Sequence, residues 1–195
     1  MKIKLRKSIV TAPVLIAASL LSGCMIQLAP SYDQSTVGQL NEVNANALAL
    51  FAALEQGVRA DEHQKYDAQF SQIIGSYRSL RMQASTRPIP AAGQAIVEKI
   101  KSVNGVEGLI SEICKKASDC VYATPKIIDT IVDALVNVQA TVKSEGYAPA
   151  PATGTCASGK VTGVKPTENA GVLPEECAYQ HAVSLALIAE SSLKR

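Results

Sequence analysis

The stretch Gly154-Thr155-Cys156-Ala157-Ser158-Gly159-Lys160-Val161 comes within one residue of a phosphate-binding loop. In that motif glycines bring backbone N–H groups up to a phosphate and a lysine meets its charge. Val161 stands where Ser or Thr must hold magnesium, and no strand before or helix after the stretch is readable, so it reads as a glycine-rich loop. Cys177 and His181 are four residues apart, which places both on one helical face and suits two zinc ligands. Zinc needs two more, Cys156 is the one obvious recruit, and oxidation of Cys177 would end the possibility. His63, in Asp61-Glu62-His63-Gln64, reads as part of a solvated polar turn, and neither histidine has the Glu-x-x-His spacing of di-iron bundles. There is no Gly-x-Ser-x-Gly elbow to carry a nucleophile. Glu175 and Glu176 point in different directions on a helix and sit where its dipole favours acid, which is a poor glycosidase pair. The expectation is no catalytic residue, no metal and no cofactor.

The start of the chain carries more information. Lys2, Lys4, Arg6 and Lys7 make it basic, and an apolar stretch, Ile9 to Leu21, follows. At 13 residues that stretch is short for the ~30 Å of a bilayer core, and it has the length of a signal-peptide core. It ends in Leu21-Ser22-Gly23-Cys24, which resembles the lipobox of bacterial lipoproteins. Small residues there let the backbone enter a peptidase cleft, and a thiol is needed to take the diacylglyceryl thioether. The resemblance implies cleavage before Cys24, acylation of that residue with fatty chains such as palmitate, and attachment to a membrane through its lipid. One chain anchors marginally at ~0.8 kcal/mol per buried methylene, whereas two or three hold firmly. Met25 and Ile26 follow the cysteine, where an aspartate would signal retention in the inner membrane, so the expected location is the outer membrane, facing the periplasm.

Removing residues 1–23 takes away four positive charges and no negative one, so the formal net charge of +2 becomes −2. Nucleic-acid binding then lacks its electrostatic basis. The 172 residues left are enough for one domain with a core. With no Trp and only Phe51 and Phe70 beside abundant Ala, Leu, Val and Ile, that core should be aliphatic seams between helices. Besides Cys24 there are Cys114, Cys120, Cys156 and Cys177, an even number that reads as two disulfides in an oxidising compartment. Three pairings are open; the preferred one is Cys114–Cys120 and Cys156–Cys177, a short turn and a tie between a long loop and the last helix.

The elements that would position these residues follow from periodicity. Residues 24–33 read as a lipid-anchored tether and 34–195 as a single helical domain. Val37, Leu40, Asn44, Ala47, Phe51, Leu54 and Val58 step by three and four along one helix, broken near Gly57. Asn44 in that seam either fixes register or faces solvent. Leu48, Leu50, Ala52 and Ala53 widen the stripe beyond one packing face, and neighbours inside a bundle are the expected cover. Asp61 reads as the cap of a second helix bearing Tyr66, Phe70, Ile73, Tyr77 and Leu80, which Pro88 and Pro90 stop. A third carries Ile96, Ile100, Val103, Ile110 and Ile113. Thr124-Pro125 is a cap-then-proline start for a fourth, with Ile128, Ile131, Leu135, Val138 and Val142, closed by Gly146. Residues 147–173 lack periodicity and read as an irregular loop. Pro174-Glu175-Glu176 opens the last helix, through Leu185 and Ile188 to Lys194-Arg195. The fold class predicted is all-α: an antiparallel bundle of four to five helices with a disulfide-stapled loop before the last.

The segment from Tyr32 to Pro90 is similar to uncharacterised bacterial proteins and brings no function with it. By architecture the chain also resembles the pilotins, small helical lipoproteins that escort secretin subunits to the outer membrane. The functional expectation is a non-enzymatic, lipid-anchored protein that binds another envelope component. Two alternatives are an envelope enzyme or enzyme inhibitor with its site in 147–173, where Lys160 or His181 would matter, and a carrier for an apolar ligand between the helices.

Overall fold

In the computed structural model, residues 29–91, 121–165 and 169–194 are described. The lipobox, the helix expected over Ile96 to Ile113, and Cys114 and Cys120 lie outside them. The described chain is mostly helical: α1 (Gln34–Leu54), α2 (Gln64–Ser85), α3 (Thr124–Ser144) and α4 (Leu173–Ser191). Each packs on two others in a ring, α1 on α2, α2 on α3, α3 on α4 and α4 on α1. The directions alternate. One end of the bundle gathers the start of α1, the end of α2, the start of α3 and the end of α4; the other gathers the opposite termini. None of these helices is long and apolar enough to cross a membrane.

Periodicity explains the packing. In α3, Ile128, Ile131, Leu135, Val138 and Val142 are all essentially inaccessible, as the three-four step requires. In α2, Phe70, Ile73, Tyr77 and Leu80 are buried, with Ile74 and Ala84 beside them, and Tyr66 packs on the core's edge. In α1, Leu40, Ala47, Phe51 and Leu54 are buried as read, but Val43 and Leu50 belong to the core too. The wide stripe of α1 is used inside the bundle only in part: Leu50 is fully covered and Leu48 rests against the core, whereas Ala53 is half-buried and Ala52 is exposed. Fully burying such side chains contributes about 1.5–3 kcal/mol each.

The helix ends add one cap that was not read from the sequence and depart from the sequence reading in two places. Asp33 caps α1, its carboxylate accepting from the backbone N–H groups of Ser35 (3.0 Å) and Thr36 (3.3 Å). Asp61 does not cap α2. It sits in a 3-10 turn, Ala60–Glu62, where it binds Arg59 instead, and α2 begins after His63. Thr124 is the first residue of α3 rather than its cap, with Pro125 in the first turn, where a missing N–H costs no helical bond.

The segment 147–173 is not wholly irregular, so the all-α description holds only approximately. Val58–Arg59 (β1) pairs antiparallel with Gly146–Tyr147 (β2), and Thr155–Ala157 (β3) pairs with Lys160–Thr162 (β4) in a hairpin. β1–β2 clips the α1–α2 connection to the end of α3. Gly146 has φ +75°, and a Cβ there would collide with the Val58 carbonyl, so only glycine lets the strands meet. The hairpin turns through Ser158 (φ 49°) and Gly159 (φ 77°), the two positive angles that a tight two-residue turn needs.

Candidate functional site

The end of the bundle with the small sheets holds most of the residues singled out by chemistry. Cys156 on β3 and Cys177 in the first turns of α4 form a disulfide (Cα–Cα 5.1 Å) that ties the hairpin to α4. Cys177 is therefore no thiolate and cannot serve as a zinc ligand. His181, one turn on, is exposed and lies under the hairpin's turn: a Cβ on Gly159 would stand 3.1 Å from its Cβ and Cγ. The near-phosphate-loop residues thus form a stapled hairpin packed on a helix. Thr155 and Thr162 hydroxyls pair across it at 2.9 Å, and the Lys160 side chain is on the exposed surface. No His, Cys, Asp and Glu grouping fit for a metal occurs among the described residues.

Beside the disulfide lies a pair the sequence reading passed over. Glu176 reads as an ordinary dipole-favoured acid of a first turn, yet only 8% of it is exposed. One carboxyl oxygen accepts from Gln180 Nε2 at 2.8 Å. The other is buried without a hydrogen-bond donor, and the neighbouring group that acts on Glu176 is a second carboxyl, Glu55, at the end of α1. Burial first, then the hydrogen bond and charge of Glu55, push the Glu176 carboxyl up to about 7, against a lowering by Gln180. The i, i+4 spacing of Glu176 and Gln180 was a visible hint; the approach of Glu55, 121 positions earlier, was not. Further round the same end, Arg59, Asp61, Glu145, Tyr147 and Asn169 line an open cleft of about 770 Å³. Arg59 is already held by Asp61 through two contacts of 3.1 Å, so the cleft presents no free cation of its own from that residue.

A polar string runs through the middle of the core. Tyr77 and Tyr179 hydroxyls are 2.7 Å apart, and Tyr179 donates to Asn44 Oδ1 at 3.0 Å. Asn44 is half-buried, so it sets register between α1 and α4 rather than facing solvent. The Tyr179 ring also packs on Phe51, with centroids 5.1 Å apart. Burial raises Tyr77 to about 12 against the lowering from Tyr179, and raises Tyr179 further. These phenols are protonated structural donors at any ordinary pH.

At the opposite end, Arg87 joins four elements. It donates to Glu190 Oε2 (2.8 Å) on α4 and to Asp33 Oδ2 (3.0 Å) and the Thr36 hydroxyl on α1, and its guanidinium lies over the Tyr122 ring, 5.5 Å from the centroid. Tyr122 donates to the other Glu190 oxygen at 2.6 Å. Glu190 is wholly buried and Arg87 nearly so, and burial alone would lower the guanidinium. Hydrogen bonding to Glu190 and the surrounding negative groups more than offset it. Arg87, Glu190, Asp33, Thr36 and Tyr122 pair with one another, the arrangement of a structural clamp.

The outer face of α4 carries two exposed aliphatic side chains among His181, Ser184 and Ser191. Leu185 and Ile188 stand one turn apart and are 43% and 62% exposed, while the helix buries Cys177, Tyr179, Ala182, Val183, Ala186 and Glu190 on its other side. The chain matches no family model, and no curated protein or solved structure is significantly similar to it.

Proposed function

We propose that the mature protein is a lipid-anchored, non-enzymatic envelope protein that binds another protein of the envelope. The observation that carries the binding role is the pair of aliphatic side chains on the outer face of α4, Leu185 and Ile188, which the bundle leaves in solvent. The address rests on Leu21-Ser22-Gly23-Cys24 and on the basic and apolar stretches before it. The expected location is the outer membrane on its periplasmic side, with the lipid on Cys24 as the anchor. The tether to Cys24 enters at Asp33, the end clamped by Arg87. A helix of 21 residues is about 32 Å long, so the stapled hairpin lies about that far from the end of the bundle where the tether enters.

The test is in living cells. A photo-crosslinking residue at Ile188 should capture one envelope protein, and the same residue at Gln83, exposed on α2, should capture none of it. Equal capture of many proteins from both positions would refute a specific α4 interface. Radiolabelled palmitate should enter the chain and be lost in Cys24→Ser; incorporation in that variant would refute the anchor.

A further inference from the structure

We propose that Glu176 and Glu55 form a proton-dependent latch that holds the first turn of α4, with its disulfide and hairpin, against the end of α1. The inference stands apart from the binding role. Its basis is a carboxyl 8% exposed, with one oxygen satisfied by Gln180 at 2.8 Å and the other buried without a donor, that has a second carboxyl, Glu55, as its interacting neighbour. Two acceptor oxygens meet without strain only if one carries a proton. A protonated Glu176 donates that proton to Glu55, so the orphan oxygen becomes one half of an O–H···O bond. Without the proton, two anions face each other in a site of low polarity, and repulsion replaces the bond.

The surroundings offer no other relief. From α1, Glu55 faces the group; on its own helix, Gln180 and the neighbouring acid Glu175 stand beside it; β2 brings Tyr147 up to Glu175. Among the described residues no cation acts on Glu176. The contact lies where loosening would propagate. The Glu55 carbonyl accepts from the backbone of Ala150 at 2.8 Å, so the end of α1 also holds the strand of chain leading into the hairpin. Cys177, the next residue after Glu176, is the hairpin's covalent tie.

The direction follows from linkage. The folded-state pKa of Glu176, about 7, lies above the ordinary glutamate value of 4.5, so the folded state holds the extra proton between those values. The latch is at full strength below about 4.5 and weakens as pH rises through 7.

Hydrogen–deuterium exchange of the full chain at pH 5.5 and pH 8, corrected for intrinsic chemical exchange, reads this out. Amides of the first two turns of α4 and of residues 146–150 should lose about tenfold more protection at pH 8 than those around Leu135 in α3, a figure reduced from the full proton-linked range for partial solvent screening. Glu176→Gln keeps the shape and a donor but cannot titrate, and should remove that pH dependence. Glu55→Gln removes the facing charge and should flatten it as well. A wild-type protein without the effect, or either variant folding and retaining it, overturns the latch. If Glu176→Gln fails to fold, Glu55→Gln alone decides: an unchanged profile overturns the proposal and a flattened one supports it.

Discussion

Arg87→Met is the sharpest probe of how this bundle is held together. The change preserves most of the side chain's length and removes one cation that contacts α1, α4 and the Tyr122 ring. It leaves Glu190, 0% exposed, with a single donor, the Tyr122 hydroxyl at 2.6 Å. An ionised carboxylate stranded in that way costs about 3–5 kcal/mol. Asp33 loses the same partner, but its side chain is 44% exposed and water replaces the contact, so it adds little. The lower end of the range, about 3 kcal/mol, applies because the Tyr122 bond survives. For a domain of this size that is a fall of roughly 6–12 °C in Tm. Thermal unfolding followed by far-UV circular dichroism measures it. The double variant Arg87→Met/Glu190→Gln should recover more than half of the loss, since an amide without its partner costs less than a buried charge. A loss under about 1 kcal/mol, or losses that simply add in the double variant, would show that the clamp is solvated and the reasoning wrong.

Tyr179→Phe removes the hydroxyl joining Tyr77 to Asn44 and leaves the buried Tyr77 hydroxyl without its partner, so urea unfolding should show a loss of about 1–3 kcal/mol. A neutral result would mean that the string adds nothing to packing. In a spectrophotometric titration at pH 11, Tyr77, Tyr122 and Tyr179 should stay protonated while the chain is folded and ionise together on unfolding, because burial raises all three; early ionisation of Tyr77 would contradict its placement. Replacing Cys156 and Cys177 by alanine releases a loop closed over 21 residues, worth about 3 kcal/mol by chain entropy. The same pair of changes should leave the Arg87 clamp untouched, so proteolysis should nick the hairpin region first; first cleavage elsewhere would argue against a local staple.

What was legible in the sequence was whatever depends on one helix at a time. The seam of α3 is readable residue for residue, because every third or fourth position is aliphatic and nothing competes with that pattern. The α1 seam came out partly turned: Val37 is only half-buried and Val43 and Leu50 are core, since a stripe serving two neighbours is wider than one row. The hairpin was hidden because its strands are three residues each, below the length at which alternation is visible, although Ser158-Gly159 is a turn signal. The last helix misled in another way. Leu185 and Ile188 have the core spacing, yet the buried row carries Cys177, Tyr179, Ala182, Val183, Ala186 and Glu190, two of them polar-tipped residues that reach partners elsewhere in the bundle. The candidate site was least readable of all: Glu176 meets Glu55, and Arg87 meets Glu190, across more than a hundred residues of chain.

The two ends of the bundle are built on opposite electrostatic principles. At the end where α1 begins, the buried charge of Glu190 faces its opposite, in a clamp of Arg87 with Glu190, Asp33 and Tyr122. Some 32 Å away, like charges face each other, and only a proton reconciles Glu176 with Glu55. The disulfide adds a covalent limit there, so loosening can free the first turn of α4 from α1 but not the hairpin from α4. A bundle arranged in this way has one fixed end and one adjustable end, and the adjustable end is the one that carries the hairpin. Local opening should therefore begin at residues 146–150 and 173–180 and die out along α3 towards Ile128, where the aliphatic seam is fully closed. That gradient makes the pH response a property of one end of the molecule rather than of its global stability.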